Sequence, residues 1–199
     1  MKIAGMQKFS TIDYPGLLSA VVFANGCNYN CWYCHNSQFI DGNANNVDQS
    51  EVISFLEKRR KLLDGVVISG GEPTLQADLS DFIYILKQMD FLIKLDTNGS
   101  NPAVLSACMS SIDYVAIDYK APKALYMKIC GEIDYEMVKE SLLLLGRSAL
   151  KWEIRTTMVP EVAEKITAIK QELSDMNFTN RPVMHRLNNF HTACESVSF

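Results

Sequence analysis

Short apolar, β-branched runs bounded by turn residues recur along the chain, at "LLSAVVFAN" (17–25), "GVVISG" (65–70), "FLIKLDTNG" (91–99), "IDYVAIDYK" (112–120), "KWEIRTTMVP" (151–160) and "RPVMHRLNN" (181–189). Segments of helical periodicity, rich in helix formers, separate them at about 48–61, 76–89, 102–109, 134–147 and 162–175. Nearly continuous apolar strands alternating with helices make parallel sheets covered on their faces, because each crossover helix must bury its apolar stripe against the strands. The reading is an α/β fold of six parallel strands, as an open doubly wound sheet or an incomplete barrel; strand count alone does not separate the two. In either case chemistry gathers at the carboxyl ends of the strands.

The polar features obey that rule. "NGCNYNCWYCHN" follows the first strand, "SGGEPT" the second, "DTNG" and "DYK" end the third and fourth, Arg155 lies late in the fifth, and "NNFH" closes the sixth. No linker or fixed-period repeat interrupts the pattern, so residues 1–199 read as one domain, with 1–16 as a lead-in and 190–199 as a short tail. A net charge of −4 offers no broad basic field for a nucleic-acid backbone, although "EKRRK" (57–61) is locally basic. No segment has the length of a membrane span or the pattern of a secretion signal, and the expected compartment is the cytoplasm. In such a reducing setting six cysteines are expected as metal ligands or free thiols rather than disulfides.

Cys27, Cys31 and Cys34 are spaced C-x3-C-x2-C in a loop with Gly26 and two asparagines. A zinc site with His35 as fourth ligand is one reading, weakened because adjacent residues rarely aim both side chains at one ion and because structural zinc prefers two separated pairs. The other is a cubane iron–sulfur cluster with thiolates on three irons and the fourth iron open to an external ligand. Cys108 and Cys130, in helical or apolar settings, read as buried free thiols.

The three-cysteine spacing, with Trp32 and Tyr33 before the last cysteine, resembles the signature of the radical S-adenosylmethionine (SAM) superfamily, and "SGGEPT" (69–74) resembles its GGE motif. That resemblance implies an incomplete (β/α)6 barrel and a [4Fe-4S] cluster on Cys27, Cys31 and Cys34. It also implies S-adenosyl-L-methionine on the open iron, cleaved by one electron to methionine and a 5′-deoxyadenosyl radical. The implied cofactor contacts are Tyr33, Gly70, Gly71, Glu72, Asp96, Asn98, Lys120, Arg155 and His191.

"YCHN" (33–36) and the lead-in "QKFSTIDYPGLLSAVVFANGC", with its D-x-P-G element, are similar to the glycyl radical enzyme activating enzymes, the activases of pyruvate formate-lyase and of anaerobic ribonucleoside-triphosphate reductase. "DTNG" and "AIDYK" look like the activase motifs that hold a monovalent cation, which implies Asp96, Thr97, Asp118 and the Ala116 carbonyl as its ligands. The usual D-L-K becomes D-Y-K here; alternate strand residues share a face, so Asp118 and Lys120 should still point together. The implied function is hydrogen abstraction from a glycine of a partner enzyme, most closely the reductase, with flavodoxin or ferredoxin as reductant in an anaerobic host. Two alternatives stand beside it: a small-molecule radical SAM enzyme such as 7-carboxy-7-deazaguanine synthase, and a non-catalytic zinc or electron-transfer module.

Overall fold

The computed structural model describes residues 1–131, 135–177 and 184–189. Seven strands form one sheet in the order β1-β2-β3-β4-β5-β6-β7: β1 (Ile3–Ser10), β2 (Ser19–Ala24), β3 (Gly65–Gly70), β4 (Leu92–Thr97), β5 (Tyr114–Asp118), β6 (Lys151–Met158) and β7 (Met184–Asn189). Strands β2 to β7 are mutually parallel, each beside its predecessor. They are the six parallel strands expected from the sequence.

Strand β1 is the addition, pairing antiparallel with β2. It falls inside what the sequence reading treated as a lead-in, because "IAGMQKFS" lacks a continuous apolar run. As an edge strand it is largely half-exposed, with only Ile3 and Ser10 fully buried, so no strong apolar pattern was required of it. Among the described residues the sheet does not close, and β1 and β7 are its two edges.

Helices α1 (Gln49–Glu57), α2 (Leu79–Gln88), α3 (Pro102–Cys108), α5 (Tyr135–Arg147) and α7 (Ile166–Asp175) fill the predicted connections. Two short helices were not read from the sequence: α4 (Tyr126–Cys130) after β5, and α6 (Pro160–Ala163), which splits the span predicted over 162–175. Pro160 starts α6 because the first helical turn has no partner for a backbone N–H in any case.

Period-two alternation divides the strands between two environments. Ala20 and Val22 of β2, Val66 and Ile68 of β3, Ile93 and Leu95 of β4, Val115 and Ile117 of β5 and Ile154 of β6 join the large core under the helices. Val21 and Val67 instead form a smaller cluster with Tyr14. Lys94, Asp96 and Glu153 are buried despite their charge, and together with Arg155 they alternate with the core residues Ile93, Leu95 and Ile154, which places them on the other face of the sheet. Among the described residues no helix is long and apolar enough to cross a membrane.

Candidate active site

The cysteine loop leaves β2 at Ala24 and is held by its backbone. Gly26 N–H donates to the Phe39 carbonyl (2.7 Å), Cys27 N–H to Ile40 (3.0 Å), Cys34 N–H to Cys31 (3.0 Å) and Asn30 N–H to Cys130 on α4 (2.9 Å). Tyr29 N–H points at the Cys27 sulfur (3.4 Å).

The GGE loop is pressed against it. Gly70 has φ +109°, where a side chain would be strained. A Cβ there would stand 2.7 Å from the Ala24 carbonyl oxygen, and one on Gly71 would stand 2.7 Å from the Gly26 carbonyl carbon. Gly71 N–H donates to Ala24 (2.9 Å) and Glu72 N–H to Gly26 (2.8 Å). The glycines therefore serve loop-to-loop contact. Asn36 adds a side-chain clamp, its Nδ2 donating to the Gly70 carbonyl (3.0 Å), which gives the asparagine of "CHN" a physical role.

Glu72 is fully buried and accepts four hydrogen bonds: from Thr74 N–H (3.0 Å) and Oγ1 (2.6 Å), Thr97 Oγ1 (2.7 Å) and Asn98 N–H (2.7 Å). Burial pushes its carboxyl up while these donors pull it down, and burial prevails. Its oxygens are engaged with the β4 end, so Glu72 joins two strand-end loops rather than facing the cavity. Asn98 reaches back to the cysteine loop, with Nδ2 2.9 Å from Asn28 Oδ1.

Across the cavity Asp96 and Asp118 are bridged by Arg155, whose Nη1 lies 3.0 Å from Asp96 Oδ2 and whose Nε lies 2.9 Å from Asp118 Oδ1. Lys120 Nζ pairs with Asp118 (2.8 Å) and Lys94 with Asp96. Burial alone would raise Asp118, but Arg155 and Lys120 hold it down to about 2. Burial would likewise lower Lys120, yet Asp118 and the nearby Tyr33 and Cys31 keep it well above the usual lysine range. Both cations therefore stay charged at the cavity wall.

A cavity of about 300 Å³ brings Cys27, Cys31, Cys34, Tyr33, Gly70, Gly71, Asp96, Thr97, Asn98, Asp118, Lys120 and Arg155 together. Glu72 and Ala116 do not line it; Ala116 sits within β5 opposite Asp96. His191 lies outside the described residues, as does Cys194. The sequence reading missed Asp13, Tyr29 and Ser69 as lining groups. Asp13 was legible in its D-x-P-G element, whereas Tyr29 carries no signal beyond sitting between two ligand candidates.

The donor set fits a cluster with an organic partner. Three thiols share one wall, and the Tyr29 and Tyr33 hydroxyls and His35 Nε2 are buried without a partner among the described residues, at a cost that a bound group would relieve. Burial pushes the Cys27 thiol up to about 12 and raises Cys34, while the neighbouring Cys130 and the Lys120 ammonium lower Cys31 against its own burial. Among the described residues no three His, Cys, Asp or Glu side chains meet at one point as a single ion needs, whereas a cubane takes each thiolate on a different iron.

Comparison with known proteins agrees. The model of the radical SAM superfamily matches residues 21–173. A putative glycyl-radical enzyme activating enzyme of Methanocaldococcus jannaschii is 38% identical over 172 residues, 82% of this chain and 70% of that protein. Pyruvate formate-lyase 1-activating enzyme of Escherichia coli is 27% identical over 169 residues, 80% of this chain and 68% of that protein. In fold, the structure of anSMEcpe with bound AdoMet aligns at a TM-score of 0.67 and 17% identity, covering 83% of this chain. This chain spans 48% of that structure's length. A family match over most of the chain, a partial parallel barrel and the cysteine and glycine loops meeting at its strand ends lead to one conclusion: the chain belongs to the radical SAM superfamily.

Proposed function

We propose that this protein is an activase that uses a [4Fe-4S] cluster on Cys27, Cys31 and Cys34, with S-adenosyl-L-methionine, to take a hydrogen atom from a backbone glycine of a partner glycyl radical enzyme. The partner we favour is anaerobic ribonucleoside-triphosphate reductase, on the strength of the distinctive lead-in "QKFSTIDYPGLLSAVVFANGC". The observation that carries the reading is the extended similarity to proteins named as activating enzymes, joined to a cavity where the implied motifs converge. When bound, the two cofactors supply an electron and a carbon-centred radical.

The chain's own residues would do the holding. Lys120 and Arg155 present cationic donors to a carboxylate, as charge-assisted bonds require. The Gly70 carbonyl accepts from Asn36 Nδ2 at the cavity lining, where a backbone oxygen with two lone pairs would also accept from an ammonium group. The unpartnered Tyr29 and Tyr33 hydroxyls are available donors, and buried walls exclude water from a reactive radical. The reading extends to a monovalent cation at Asp96, Thr97, Asp118 and the Ala116 carbonyl. Such an ion would compete with Lys94, Arg155 and Lys120 for the carboxylates and with Glu72 for the Thr97 hydroxyl. A flavodoxin or ferredoxin would supply the electron in the cytoplasm, since iron–sulfur potentials reach about −700 mV.

The test is anaerobic reconstitution with iron and sulfide, then dithionite and S-adenosylmethionine. Release of 5′-deoxyadenosine, and a glycyl doublet in electron paramagnetic resonance when a partner enzyme is added, are expected. No cleavage overturns the radical chemistry; cleavage with no doublet on any glycyl radical enzyme of the host overturns the activase reading alone.

A further inference from the structure

Two polar side chains in the cavity stand outside the proposed cofactor contacts. Thr157, late in β6, and Asn188, late in β7, lie opposite each other in the parallel register, and both line the cavity. Earlier on the same strands the polar groups are committed, Glu153 to Arg186 and Arg155 to Asp96 and Asp118. The lining residues Ser69 and Asn36 are committed as well, to Asp96 and to the Gly70 carbonyl. The Thr157 hydroxyl and the Asn188 carboxamide hydrogen-bond to no other described residue, and both residues are half-buried. Val21 and Phe23 of β2 line the cavity from the other end of the sheet, so Thr157 and Asn188 form its rim beside β7, an edge strand among the described residues.

A hydroxyl and a carboxamide can each donate and accept a hydrogen bond, and that is the pairing a main-chain amide requires. A target glycine has no side chain, so its backbone N–H and C=O are all it offers for recognition. Transfer of a hydrogen atom from its Cα also needs that carbon held close to the radical in a fixed orientation. We infer that Thr157 and Asn188 are a substrate subsite that binds the main-chain N–H and C=O at the target glycine. The inference rests on the activase reading and adds where in the cavity the glycine backbone is held.

The probes are a synthetic peptide copied from the glycine loop of a glycyl radical enzyme of the host, and its analogue in which an ester oxygen replaces the glycine N–H. Affinities are measured by anaerobic calorimetry on reconstituted full-length protein with S-adenosylmethionine, as wild type, Thr157→Val, Asn188→Ala and the double variant, with iron and sulfide counted in each. Each single variant should bind the peptide about three- to tenfold more weakly, the range for one neutral hydrogen bond. The wild type should bind the ester more weakly by a similar factor, and that penalty should vanish in the double variant, as a direct contact requires. A double variant that binds the peptide as the wild type does, or that keeps the whole ester penalty, overturns the inference. So does loss of iron in both single variants, which would place the pair in the cofactor site or in folding. Wild-type protein that cleaves S-adenosylmethionine under dithionite yet binds no glycine-loop peptide from any glycyl radical enzyme of the host overturns the activase reading, and the inference falls with it.

Discussion

Replacing Gly71 with alanine separates a packing role from a cofactor role, because the two predict different behaviour in protein that has never met iron. The new methyl would lie 2.7 Å from the Gly26 carbonyl carbon and closer still to its oxygen, about 1 Å inside the ~3.5–4.0 Å of a good carbon contact. Both atoms are backbone, so no side chain can rotate away. The displaced carbonyl is the one that accepts Glu72 N–H at 2.8 Å. Overpacking of this kind costs about 1–3 kcal/mol and a lost hydrogen bond about 0.5–1.5 kcal/mol, so we expect about 2–4 kcal/mol in all. Urea unfolding of the apoprotein, followed by far-ultraviolet circular dichroism, should show a lower midpoint with an unchanged slope. Gly5→Ala is the control: nothing lies within 4 Å of a Cβ there, and its midpoint should barely move. If apo Gly71→Ala unfolds within about 0.5 kcal/mol of wild type yet fails to bind S-adenosylmethionine, then the glycine faces the cofactor and the loop-packing argument is wrong.

Single replacement of Cys27, Cys31 or Cys34 by alanine should abolish the visible absorption of the reconstituted cluster. Cys108→Ala should keep it, because Cys108 is buried in the large core with Ser80 Oγ 3.4 Å from its sulfur; loss of absorption there would mean that the ligand set is wrong. Asp118 titrates at about 2 in the fold against an ordinary 3.8. Its contribution is complete above the ordinary value and is lost as pH falls towards the folded one, about 2 kcal/mol in size for a side chain 25% exposed. Urea midpoints measured from pH 4 down to pH 2 should therefore fall less steeply in Asp118→Asn, and equal slopes would refute the assignment. Arg155→Lys keeps the charge but cannot fork between Asp96 and Asp118; losing one charged hydrogen bond should cost about 1.5–3 kcal/mol in the same unfolding assay. A variant as stable as wild type would show that the bridge adds nothing.

The parallel strands were legible as short, largely apolar or β-branched runs between turn residues, most plainly in β2, β3 and β5, which are buried along nearly their whole length. Strand β1 was not, since an edge strand with mostly half-exposed residues needs no such run. The five-residue α4 was too short to show a period, yet it carries Cys130 to the cysteine loop. The cysteine spacing and the GGE and D-Y-K motifs named most of the cavity lining, because residues close together at one strand end travel together in sequence.

Direction and partnership were a different matter. Nothing in "SGGEPT" says that Glu72 turns away from the cavity to four donors around the β3 and β4 ends, or that Gly71 is needed for a neighbouring carbonyl. "DTNG", "DYK" and Arg155 stand at 96–99, 118–120 and 155, and their one ionic network exists only because neighbouring strands are in register, with Asp118 opposite Arg155. The sequence by itself determined the parallel α/β class and the residue types at the strand ends, since both follow from local periodicity. Only the tertiary structure decided which of those residues face one another, because hydrogen bonds and ion pairs depend on ångström distances set by strand register and loop contact, which no local pattern encodes.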